Sequence, residues 1–155
     1  MSHVAAATGF CVTDLDCLEA AAVEVGFTLK RGKRTHRWFG KWLNDWHDST
    51  RAAALQGFDS STFGHCDHAL ALTGGTSSDY EIGLTKRRDG GAGYEFVYDV
   101  YGPGHRLEQA GGENLVELRK RYEEKLARKH LTKRGNRITR EVDARGRIIL
   151  RGVKR

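Results

Sequence analysis

Two alternating segments around one turn constrain this chain most. Tyr80, Ile82 and Leu84 alternate with Glu81, Gly83 and Thr85; beyond Arg88-Asp89-Gly90-Gly91, the residues Tyr94, Phe96, Tyr98 and Val100 alternate with Glu95 and Asp99. A period of two, interrupted by a Gly-rich turn, specifies an antiparallel hairpin with one buried face. On that reading Asp89, Glu95 and Asp99 are outward residues whose carboxylates solvate the other face.

Other elements follow the same logic. Val4 to Val12 is β-compatible, and Asp14 is placed to cap a helix in which Leu15, Leu18, Ala22 and Val25 recur at helical spacing before Gly26 ends it. Phe27 to Arg31 reads as a second strand and Ala69 to Thr73 as a third, followed by the turn cluster Gly74-Gly75-Thr76-Ser77-Ser78. After Gly102-Pro103-Gly104, the segment Glu113 to Lys133 carries a narrow apolar stripe of Leu115, Leu118, Tyr122 and Leu126, and Gly135 stops the helix. Arg137 to Val142 and Arg147 to Val153 form a terminal hairpin across Asp143-Ala144-Arg145-Gly146, with Ile138, Ile148 and Leu150 available for burial. The order is β-α-β, a β-meander, then α-β-β. It predicts an α+β, two-layer fold: a mainly antiparallel sheet with two helices on one face.

A length of 155 residues suits one domain, 1–155. Its 39% hydrophobic and 30% charged residues are those of a globular chain, which excludes disorder. The most apolar early stretch, Val4 to Val12, is far short of the ~20 residues that a membrane span needs. Cys11, Cys17 and Cys66 are odd in number and lack paired spacing, and the N-terminus does not read as a signal peptide. The expected setting is reducing and cytoplasmic.

Charge divides the chain in two. Residues 119–155 hold 15 Lys/Arg and 4 Asp/Glu, whereas residues 1–118 hold 11 and 16, so a local +11 faces a local −5. Such polarity favours nucleic acid, an anionic surface or an acidic protein as partner.

The opening Met1-Ser2-His3, the strand and helix ending at Gly26-Phe27, the pair Tyr80-Glu81-Ile82-Gly83-Leu84 and Gly93-Tyr94-Glu95-Phe96-Val97-Tyr98-Asp99, the segment Leu118-Arg119-Lys120-Arg121-Tyr122, and the closing Glu141-Val142-Asp143-Ala144-Arg145-Gly146-Arg147-Ile148-Ile149-Leu150 occur in an ordered set. That set resembles the domain-of-unknown-function 1257 family of bacteria, phages, cyanobacteria and algal plastids. The likeness covers most of the chain except 33–64, where this sequence carries a longer insertion, and it departs at Val4 and Glu123, where relatives favour aromatics. The resemblance supplies no catalytic residues and no cofactor. It implies an accessory role beside an AAA-type ATPase.

Several constellations invite chemistry. His65-Cys66-Asp67-His68 combines imidazole and thiolate, with His36, His47 and His105 as loose further ligands, but no second pair at ligand spacing completes a zinc site, so no metal is expected. Adjacent side chains diverge along an extended chain, which argues against Cys66 as an activated nucleophile; Cys11 and Cys17 have no better surroundings. The 74–78 cluster lacks the lysine and following helix of a phosphate loop. No nucleophile, base and oxyanion donor can be placed together, so no enzyme activity is expected.

Two features carry function. Trp38, Trp42 and Trp46 recur at i, i+4 and i+8, so a helix within the 33–64 insertion would present an aromatic stripe, either closing over the domain's own core or binding a protein partner. Arg119, Lys120, Arg121, Lys125, Arg128 and Lys129 crowd the last helix, and Arg137, Arg140 and Arg147 continue through the hairpin, a donor-rich array suited to phosphate. The first functional reading is a non-catalytic binding module whose basic C-terminal face contacts RNA or DNA within a larger assembly. The second is a protein-protein adaptor using the tryptophan stripe. The charge distribution favours the first.

Overall fold

The computed structural model describes residues 4–7, 9–39 and 63–154. Its strands are β1 (Val4–Ala6), β2 (Phe27–Arg31), β3 (His68–Leu72), β4 (Glu81–Lys86), β5 (Tyr94–Asp99), β6 (Asn136–Val142) and β7 (Ile148–Lys154). Its helices are α1 (Leu15–Val25), α2 (His105–Gly111) and α3 (Val116–Lys133), with short 3₁₀ turns at Gly102–Gly104 and Glu113–Leu115. The first five strands form an antiparallel sheet in the order β1-β5-β4-β3-β2, while β6 and β7 form a sheet of their own. The architecture is α+β, as the patterning predicts.

Local chemistry sets the helix ends. Asp14 accepts a hydrogen bond from the Cys17 N–H at 3.0 Å and starts α1, and Gly26 ends it in the left-handed conformation, with φ +91°. Phe27 follows directly into β2. The apolar faces of α1 and α3 meet above one side of the sheet, so that Leu18, Ala21 and Ala22 pack with Leu115, Leu118 and Tyr122 over Phe27, Leu70, Ile82, Leu84, Phe96 and Tyr98. The Tyr122 hydroxyl closes this junction, accepting the backbone N–H groups of Thr13 at 3.0 Å and Asp14 at 3.3 Å.

Four expectations change. The strand expected from Val4 to Val12 is confined to β1; Gly9 turns the chain with φ +71°, and Val12 makes only an isolated bridge to Tyr94. A helix the patterning missed, α2, lies between the meander and α3, buried through Leu107. The long helix begins at Val116 rather than Glu113, because Asn114 and Leu115 adopt left-handed φ values of 52° and 59° that break the turn before it. Finally, the sheet is buried on both sides: Glu81 and Asp99, expected to be solvated, are fully buried on the face away from the helices.

Part of the insertion explains that second face. Thr35 bridges His65, the His36 N–H bonds the Gly64 carbonyl at 2.8 Å, and Cys66 N–H bonds the Arg34 carbonyl at 2.9 Å, so residues 33–39 and 63–66 run together. The Glu81 N–H in turn donates to the Arg37 carbonyl at 3.0 Å. This strap needs a close floor, and β4 provides it at Gly83, where a Cβ would collide with the His36 ring.

The Tyr122 junction gives the first test. Tyr122→Phe removes the acceptor for two backbone donors while keeping the ring, and should lower the unfolding free energy by about 1 kcal/mol in a urea titration. Unchanged stability would mean that water replaces the hydroxyl without cost.

Candidate functional site

The nine basic residues singled out in the sequence do not form one open cationic face. Eight hold a carboxylate. On α3, Arg119 pairs with Glu123 at 2.7 Å, Lys120 with Glu117 at 2.8 Å and Arg128 with Glu124 at 3.3 Å. Arg121 and Lys125 both reach Glu24 of α1, and Lys129 binds Asp14 at 2.5 Å. The Lys129 ammonium and the Cys17 N–H hold the Asp14 carboxyl at about 2. From the hairpin, Arg140 joins Glu124 at 2.7 Å and Arg147 joins Asp143 at 2.6 Å. Much of the helix charge therefore braces α1 against α3 and α3 against the hairpin. Arg137 alone of the nine has no carboxylate partner among the described residues.

Other unpaired cations collect around Arg137. Lys133 and Arg134 end α3, and Lys154 lies opposite Asn136 at the start of β6; none of these has an ion pair among the described residues. Arg145, in the turn at the far end of the hairpin, also has none among them; that turn is built by Asp143, whose Oδ1 accepts the N–H groups of Arg145 at 2.9 Å and Arg147 at 2.8 Å. The Arg147 N–H and guanidinium hold the Asp143 carboxyl below its ordinary range.

The hairpin stands on α3 rather than on the main sheet. Ile138, Ile148 and Leu150 are half-buried against the helix, Gly152 lies against the Leu131 side chain, and Asn136 Nδ2 donates to the Leu131 carbonyl at 3.3 Å. Alternation then sends Arg137, Thr139, Glu141, Ile149, Arg151 and Val153 to the opposite side, where Val153 is exposed. Between α3 and the β6–β7 turn lies a cleft of about 350 Å³.

A second polar region, which sequence reasoning missed, sits under the strap. Glu81 receives Lys33 Nζ at 2.5 and 2.6 Å and the Arg37 N–H at 3.0 Å, with the Arg37 guanidinium 3.3 Å and Lys30 3.6 Å away. Burial opposes ionisation there, but the Lys33 bond and the Arg37 N–H overcome it and hold the carboxyl below its ordinary range. Asp99, on the same side of the sheet, accepts the N–H groups of Tyr101 at 2.9 Å and Phe39 at 3.3 Å. His36 is 4% exposed, and neither ring nitrogen has a hydrogen-bond partner among the described residues; burial lowers its pKa to about 4.

The remaining candidates have structural work. The Cys66 thiol donates to the Lys33 carbonyl at 3.1 Å, and burial pushes it up to about 11, far from a reactive thiolate. Asp67 pairs with Arg34, His68 Nδ1 accepts the Gly32 N–H, and His65 is exposed. No group of three or more metal-binding side chains occurs among the described residues. Trp38 packs edge-on to Phe63 at 4.5 Å and lies tight against Gly64, in a stretch that is not helical. Trp42, Trp46 and His47 lie outside the described residues.

No protein-family model, curated protein or solved structure matches the chain. The family resemblance therefore rests on the ordered sequence segments alone, and no helix among the described residues is long and apolar enough to cross a membrane.

The buried imidazole makes stability pH-dependent. In the unfolded chain His36 takes up a proton near pH 6.5; in the folded chain it resists until about pH 4, against Glu81, which favours protonation, and Lys33 and His65, which oppose it. Its contribution is complete above pH 6.5 and is lost as the pH falls through that window, by about 3 kcal/mol in all. Urea unfolding across pH 7 to 4 should show this slope, and His36→Phe should flatten it. An equal slope in the variant would assign the acid sensitivity to the carboxylates.

Proposed function

We propose that this protein is a binding module for nucleic acid that grips the phosphate backbone with its terminal hairpin and the end of α3. One observation carries the reading: after the helix cations are matched to carboxylates, Lys133, Arg134, Arg137 and Lys154 remain without an ion pair among the described residues and converge at one end of an outlying two-stranded sheet. Guanidinium and ammonium groups near a helix C-terminus are held there favourably by the helix dipole, yet they keep their donors directed at solvent. Contacts of this kind position a backbone without reading its sequence.

The adaptor reading has less support. Trp38 is engaged with Phe63 and Gly64 inside the domain, which removes one third of the proposed stripe from a partner surface. A complex with an AAA-type ATPase, as the resemblance implies, is compatible with nucleic-acid binding.

Fluorescence anisotropy with labelled RNA and DNA oligonucleotides over a salt series tests the proposal. Binding should weaken steeply with salt, and replacing Lys133, Arg134 and Arg137 together by Glu should flatten the logarithmic slope by about 2, since each single-strand phosphate left without its cation removes ~0.7. Arg119→Glu, at a paired position, should change the slope much less. Absence of binding at low salt, or equal slopes in the triple variant and the wild type, would overturn the proposal.

A further inference from the structure

We propose that the cleft between α3 and the β6–β7 turn is a slot for one unstacked nucleobase, which makes the preferred ligand single-stranded. The inference rests on the phosphate-binding reading above and adds a site to it. The cleft has a volume of about 350 Å³, at the lower end of the ~300–1,000 Å³ typical of small-ligand sites. Ala127 from α3 with Ile148 and Leu150 from β7 line it with apolar surface, its floor, and Lys120, Arg145 and Arg147 line it with cations, its rim. Lys120 and Arg147 also pair with Glu117 and Asp143, so Arg145 is the rim cation without a carboxylate among the described residues. An apolar floor beneath a cationic rim matches the two halves of a nucleotide: a flat base that gains by leaving water and a phosphate that needs a counter-charge.

The rim is prepared for that role. Asp143 fixes the turn through the backbone N–H groups of Arg145 and Arg147 and orients the Arg147 guanidinium at 2.6 Å, while Arg145 has no carboxylate among the described residues and is available to a phosphate. A guanidinium plane held in this way is also a stacking surface for a base. Glu123 and Glu124 also line the cleft, paired with Arg119 and with Arg128 and Arg140, and Glu123, with its side chain 57% exposed, can accept a hydrogen bond from a base amino group. An open cleft of about 350 Å³ beside a hairpin turn suits one nucleoside better than a peptide helix. Splayed bases of this kind occur in single strands, loops and ends, not in an intact duplex.

The test compares three probes in anisotropy: a labelled single-stranded RNA oligonucleotide, the same backbone with abasic residues, and a duplex of equal length. The base-bearing single strand should bind at least about fivefold tighter than the abasic strand. Ala127→Leu, at an exposed helix position that fills the floor, should abolish that difference and leave the abasic affinity unchanged. Equal affinity for the base-bearing and abasic strands would overturn the slot while leaving phosphate binding intact, as would tighter binding of the duplex. No binding by any probe would overturn both proposals. An acidic leucine-bearing peptide that binds the wild type but not Ala127→Leu, with no discrimination between bases and abasic sites, would assign the cleft to a peptide and overturn the slot.

Discussion

The buried Glu81 carboxylate is the constraint on which much of the second face depends. A charge on a central strand with no access to water has to be neutralised and hydrogen-bonded in place, because its desolvation costs several kcal/mol. Lys33 and Arg37 meet that need from a segment distant in sequence, and in doing so they draw 33–39 across the sheet. His36, between them, is carried down onto Gly83, and Phe63 and Trp38 close over it. The order of dependence runs from one carboxylate to a third layer. A β4 with an apolar residue at 81 would bury more cheaply but would not select this strap over any other hydrophobic cover.

This also shows where sequence reading reaches its limit. The β4–β5 hairpin, the Asp14 cap, the Gly26 stop, α3 and the terminal hairpin were legible because each is specified by residues within a few positions of one another. The burial of Glu81 and Asp99 was not, since alternation assigns polar residues to solvent unless a partner is visible, and the cations that hold Glu81 are 44 and 48 residues away. The α2 helix escaped for a different reason: seven residues with only Leu107 as a large apolar side chain give no period to detect. Tertiary packing of that one leucine decides the matter.

The candidate interface shows the same division. Sequence revealed the sign and position of the basic residues, and the close pairs Arg119–Glu123 and Lys120–Glu117 follow from helical spacing. Glu24 and Asp14, which take Lys125 and Lys129, lie more than a hundred residues away and become visible only once α1 and α3 are packed. Without that step the helix looks like a continuous cationic strip. With it, the helix is an internal brace and the unpaired charge moves outward to the hairpin.

That displacement gives the electrical asymmetry a structural cause. Acidic residues of the first 118 are drawn to the start of α3 and its inner side, where Glu24, Asp14 and Glu117 meet its cations, so neutralisation is most complete where the domain is packed. The C-terminal end of α3 and the hairpin extend beyond the reach of those carboxylates, with only Glu141 and Asp143 among their own residues. A two-stranded sheet is marginal by itself and has to lean on something; here it leans on α3 through Ile138, Ile148, Leu150 and the Arg140–Glu124 pair. The contacts that stabilise the hairpin therefore lie on its inner face, and the cations without a carboxylate among the described residues gather at its open end, where Arg137 and Lys154 meet the end of α3. A polyanion bound as proposed would meet cations that the packing of the hairpin does not use.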